Sequence, residues 1–150
     1  MIFNYKNILK DFLDYNIKKI EKKNVSFIYS TDEEKAFFSD GHIAAILPKS
    51  YSPFAENTNA FNYEKMLYKY NDKQVYISNK RILIGGIECY VLVDDFENEI
   101  TYINKKMIDR WFDVSSVKLY MQNLDNKTPV FIWYSDTIIG LILPIRRNGV

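Results

Sequence analysis

The chain has one cysteine, Cys89, and one histidine, His42, in 150 residues. A lone cysteine excludes an internal disulfide and any cysteine-rich metal centre, and it fits a reducing compartment. A lone histidine leaves little material for general acid–base chemistry. Glycine and proline are sparse, at five and four residues, so no flexible, low-complexity linker divides the sequence into separate domains. No apolar run approaches the ~20 residues that a membrane span requires. The opening Met1-Ile2-Phe3-Asn4-Tyr5-Lys6-Asn7 lacks the layout of a signal peptide. A cytoplasmic location without membrane contact is the expectation. Charge of one sign is also missing: the net charge is +1, so any nucleic-acid contact must come from local placement of Lys and Arg.

Apolar and aromatic residues are plentiful. A hydrophobic content of 47%, with 16% aromatic residues, mostly Tyr and Phe, can fill the core of one domain of this length and favours β structure. One pattern occurs twice. Residues 37–48, Phe37-Phe38-Ser39-Asp40-Gly41-His42-Ile43-Ala44-Ala45-Ile46-Leu47-Pro48, align at a constant offset of 96 with 133–144, Trp133-Tyr134-Ser135-Asp136-Thr137-Ile138-Ile139-Gly140-Leu141-Ile142-Leu143-Pro144. Internal repetition of this kind points to one structural unit used twice.

The flanks agree. Tyr5, Leu9, Phe12, Leu13, Ile17 and Ile20 recur at helical spacing over 5–23, with Ile8 at the margin and Asp11, Asp14, Lys18 and Lys22 on the outer face. Strands are expected from Val25 to Ser30, Ala36 to Phe38 and Ile43 to Leu47. In the second copy a strand from Glu99 to Ile103 precedes a helix capped by Asn104 and running to Phe112. Strands from Val117, Val130 and Ile138 follow, the last reaching Ile145. Between the copies, a loop and a short helix around Tyr63–Tyr70 precede strands on either side of a turn at Asn79-Lys80, and Gly85-Gly86 leads into a third strand from Ile87. The division is repeat one over about 1–48, an insert over about 49–98 and repeat two over about 99–145. The fold class read from this is α+β, two βαβββ units with two helices on one face of antiparallel sheets.

Three segments resemble the bacterial DNA sliding clamps, the ring-forming processivity factors of replicative polymerases. Phe38-Ser39-Asp40-Gly41-His42-Ile43-Ala44 is similar to that family's Thr-Asp-Gly-His-Arg-Leu-Ala, without the Arg. Val75 through Leu92 resembles its paired strands before an acidic loop. Pro129 through Arg146 is similar to its closing Pro-Leu-Leu-Ile … Met-Pro-Met-Arg strands. The resemblance implies a DNA-clamp-like domain. It also implies a non-enzymatic role in DNA metabolism, encoded by a phage or mobile element, and a homo-oligomeric ring of six domains built by edge pairing. Clamp helices carry cations toward phosphate, so Lys18, Lys22, Lys105, Lys106 and Arg110 are the nucleic-acid candidates. Asp11, Asp14, Asp109 and Asp113 sit among them and weaken the expected attraction to DNA. A second reading follows from the single-domain length and mixed charge. The chain would then be an inhibitor or decoy that uses a clamp-like fold to bind a host replication or defence complex, such as a CRISPR complex.

No catalytic residues, cofactor or metal are assigned. Asp40 and Asp136 read as turn residues that satisfy their own backbone, His42 as a structural histidine at an apolar or half-buried position, and Cys89 as inert. Asp94, Asp95, Glu97 and Glu99 lack the spacing of a calcium loop, and Gly85-Gly86 is not followed by the Lys of a phosphate loop. A protein partner is expected. Tyr51, Phe54, Phe61, Tyr63, Lys65 and Lys69 combine aromatic and positive residues as its contact surface, or else the aromatics pack the insert onto the sheet.

Overall fold

The computed structural model describes residues 2–22, 29–31, 34–54 and 73–146. Its helices are α1 (Tyr5–Glu21) and α2 (Lys105–Trp111). The strands are β1 (Tyr29–Thr31), β2 (Lys35–Ser39), β3 (Ile43–Pro48), β4 (Lys73–Ile84), β5 (Ile87–Val93), β6 (Glu99–Asn104), β7 (Lys118–Met121), β8 (Val130–Tyr134) and β9 (Thr137–Ile142). Every pairing is antiparallel, and the class is α+β. No helix among the described residues is long and apolar enough to cross a membrane. The expected strand start at Val25 and the short helix around Tyr63–Tyr70 lie outside the described residues.

The strands form one sheet in the order β1-β2-β3-β9-β8-β7-β4-β5-β6. The three-stranded meanders β1-β2-β3 and β7-β8-β9 therefore meet through β3 and β9, with Ile43 opposite Ile142 and Ala45 opposite Gly140. Past β9, Ile145 bridges to Tyr102 of β6. The path β9-β8-β7-β4-β5-β6 thus returns to the continuation of its first strand, and the sheet curls into a partly closed wall. At the other end of the chain, Phe3 forms an isolated bridge with Phe112.

Side-chain alternation gives the wall two apolar faces. Ala36, Phe38, Ile43, Ala45, Leu47, Leu92, Ile103, Val130 and Ile132 join Ile8 and Phe12 of α1 and Ile108 and Trp111 of α2 in one core. Both helices share that face. The residues between, Phe37, Ala44, Ile46, Phe131 and Leu141, form a smaller buried cluster on the opposite face.

Four sequence expectations change. The buried row of α1 runs through Ile8, Phe12 and Asn16, while Ile17 is 47% exposed. Asn16 turns inward because its Nδ2 donates to the carbonyls of Phe12 (2.7 Å) and Ser39 (3.4 Å), which rotates the helix away from the stripe drawn by its leucines. Asn79-Lys80 is not a turn. β4 is continuous, with Ser78–Lys80 bulged opposite Val91 between the pairs Ile77–Leu92 and Arg81–Tyr90. The chain reverses instead at Gly85 and Gly86, whose φ angles of +57° and +81° suit a two-residue hairpin turn that Lys would resist.

The two Ser-Asp turns are not equivalent in structure. In the first, Ser39 pairs with Ala44 across a four-residue loop. Asp40 Oδ1 there accepts from the N–H of His42 and Ile43. In the second, Tyr134 pairs with Thr137 and Ser135 itself takes the left-handed φ of +53°. A bulge between Ile132 and Trp133 in the β8–β9 pairing absorbs part of the difference. Finally, the last strand stops at Ile142, and Ile145 contributes only its bridge.

Candidate functional site

The amphipathic spacing of α1 buries Ile8 and Phe12 and brings Asp11, one position round the helix, against α2. Asn104 starts α2 as its cap, its side chain accepting from the Met107 N–H at 3.1 Å. This seats Ile108 and Trp111 in the core and turns Arg110 to α1. Arg110 then donates to Asp11 through Nε at 2.6 Å and Nη2 at 3.0 Å, and the Trp111 indole N–H donates to the same carboxylate at 2.9 Å. Burial works to raise the Asp11 pKa, but the bonds from Arg110 and Trp111 and the Arg110 charge outweigh it and hold the carboxyl below its ordinary value. Asn7 Nδ2 donates to the Arg110 carbonyl beside this pair. The helices are locked together by a planar, two-pronged ion pair.

That lock consumes one of the nucleic-acid candidates. A second, Lys105, lies 2.9 Å from Asp109 with its side chain 35% exposed. Asp109 also accepts from the Tyr90 hydroxyl at 2.7 Å. Tyr90 is nearly buried, and burial first, then Asp109, pushes its hydroxyl up to about 12. The Arg81 guanidinium stands 4.4 Å from the Tyr90 ring centroid, and its Nη1 donates to the carbonyls of Ser78 and Lys80 in the β4 bulge. Lys18, Lys22 and Lys106 are exposed. Lys18 stands two turns beyond Asp11 on the same row of α1, and Lys22 follows just past the end of the helix.

The partner candidates divide as well. Tyr51 and Phe54 are half-buried and packed against the core. The Tyr51 ring meets Phe3 and Tyr5, each at 5.5 Å between centroids, and the Tyr5 hydroxyl donates to the Tyr51 carbonyl. Phe54 stacks on Phe12 at 5.5 Å and leans on Phe38. Much of both rings is therefore spent on internal packing. Phe61, Tyr63, Lys65 and Lys69 lie outside the described residues.

His42 is exposed at the tip of the β2–β3 turn and not half-buried. Cys89 is fully buried, and burial pushes its thiol pKa up, away from the reactive range. Among the described residues no group of three or more His, Cys, Asp or Glu side chains could hold a metal ion. The acidic loop forms one wall of a cleft of about 740 Å³, lined by Tyr76, Lys80, Asp94, Asp95, Glu97 and Glu99 among others. Asp94 organises that loop by accepting from the N–H groups of Phe96 and Asn98, and Lys80 neutralises Glu99 at 3.5 Å.

Sequence reasoning missed the roles of Asp11, Arg81 and Tyr90. Asp11 carried a signal, since a carboxylate directly beside the apolar row of a helix commonly meets a second element. Arg81 and Tyr90 carried none, because their meeting depends on the bulge in β4. Comparison of the chain with protein-family models, with curated proteins and with solved structures finds no match.

Proposed function

We propose that this chain is a non-enzymatic, clamp-like binding protein of DNA metabolism that works chiefly through protein contacts and touches DNA weakly. The observation that carries this reading is the strand order β1-β2-β3-β9-β8-β7, with α1 and α2 together on one face. Two units of a helix followed by a three-stranded meander, joined edge to edge, give that part of the order, which resembles the plan of one sliding-clamp domain. Arg110 is bound to Asp11 and Lys105 to Asp109, so the helices offer Lys18, Lys22 and Lys106 to phosphate. Three phosphate contacts correspond to a log–log salt slope of about −3, or roughly a forty-fold loss of affinity between 50 and 200 mM salt.

Sedimentation and DNA titration test the reading together. A hexamer whose DNA affinity falls with that slope, and whose slope shrinks on Lys18→Ala, Lys22→Ala and Lys106→Ala, supports a clamp-like ring. A slope unmoved by all three substitutions rejects the helix face as the DNA surface. The paired state of Arg110 and Lys105 also favours a second reading, that of an inhibitor or decoy binding a host replication or defence complex. A monomer or dimer without salt-dependent DNA binding selects it. His42→Ala leaves activity intact on either reading, and loss of a measured turnover with the fold preserved would reopen catalysis.

A further inference from the structure

We propose that the segment after β9, residues 143–146, is a strap that closes the outer edge of β6 against pairing with a second copy of this chain. β6 is the last strand of the sheet order. Its sequence, Glu99-Ile100-Thr101-Tyr102-Ile103-Asn104, is rich in strand formers and holds no Pro or Lys, the residues that commonly protect an edge. The opposite end of the order is β1, described over Tyr29–Thr31. Among the described residues the one strand-like contact on the outer side of β6 is the bridge of Ile145 to Tyr102, where the Ile145 N–H donates to the Tyr102 carbonyl at 2.8 Å. The strap is pinned at its other end by the Leu143 N–H on the His42 carbonyl at 2.9 Å. Pro144, between them, has no N–H to give.

Among the described residues the strap holds the edge through the Ile145–Tyr102 backbone bond in mid-strand, and a second strand could pair there only by displacing it. The occupant it excludes is a second β6. An antiparallel pair centred on Tyr102 sets Ile100 against Asn104 and Tyr102 against its own copy, with no like charges opposed, and it closes as a two-fold dimer. This inference does not rest on the role in DNA metabolism, and a hexamer of the unmodified chain joined through the β6 edge would overturn it while leaving that role standing.

Ile145→Pro deletes the donor and keeps an apolar, extended residue after Pro144, whereas Ile145→Ala keeps the donor. Sedimentation over a concentration series is expected to show the proline variant at higher, concentration-dependent mass than the unmodified chain, and the alanine variant unchanged. A proline variant that is folded by circular dichroism yet has the unmodified mass overturns the proposal. Should that variant not fold, amide exchange in the unmodified chain decides. The Ile145 amide is expected to exchange by local opening at low urea, and exchange only through global unfolding overturns the displaceable strap.

Discussion

Gly140 sits at a close approach between the two meanders. A Cβ built there would lie 2.5 Å from the Ala44 carbonyl oxygen and 2.6 Å from the Phe112 ring. The first of these neighbours is backbone held by the β3–β9 pairing, so it cannot give way. Gly140→Ala is therefore expected to cost about 2–3 kcal/mol, read as a lower urea midpoint at unchanged m-value. Asp11 is the second sensitive residue. Replacing it with Ala leaves the Trp111 indole N–H and the Arg110 guanidinium without their shared acceptor, at an expected cost of about 2–3 kcal/mol. Arg110→Lys can restore the charge but not the two-pronged geometry, and is expected to fall between Ala and the native residue. Neither position could be weighed from its letter alone, since a strand glycine and a helix aspartate are ordinary until their neighbours are known.

At the scale of the element, α2 is only seven residues long, too short to persist without caps and packing. Asn104→Ala is expected to destabilise the fold by about 1 kcal/mol, with loss of helical circular dichroism at subdenaturing urea. Several loops and junctions rely on aspartates in the same way. Asn98 donors lower the Asp94 pKa, Ser115 and Ser116 lower that of Asp113, Thr128 and the Lys127 N–H lower that of Asp125, and Asp11 is lowered by Arg110 and Trp111 against its burial. All four start from the same ordinary value of 3.8. In the window below that value the unfolded chain binds more protons than the folded one, so stability falls as pH falls. Melting temperature is expected to hold steady from neutral pH down to about 5 and to drop below about 4. A flat profile to pH 2 would show that these carboxylates are not held by the folded state.

At the scale of the whole molecule, α1 and α2 are far apart in the chain yet share one core with strands of both meanders. Unfolding is therefore expected to be a single transition. Trp111, 1% exposed between the helices, and Trp133, on the face that carries Phe131 and Leu141, report from the two sides of the sheet. Fluorescence of single-Trp variants and far-ultraviolet circular dichroism are expected to give coincident urea curves. Separate midpoints would mean that the meanders unfold independently.

Much of the secondary structure could be read directly from the sequence, because helical spacing in 5–21, the Asn104 cap and the strand alternation around Phe38, Ile46 and Ile132 are local properties. Composition likewise excluded a disulfide. The mirrored strand order, the joining of β3 to β9, the closure through Ile145 and the inward turn of Asn16 belong to tertiary structure alone. Each depends on contacts between residues far apart in the chain, whose energies no local pattern encodes. The same division runs through the candidate site. The sequence supplied the cations Lys105 and Arg110, and the i,i+4 spacing of Lys105 and Asp109 on one helix is itself local. Only the fold determined that Asp11 neutralises Arg110, because that pair must be brought together from two distant helices.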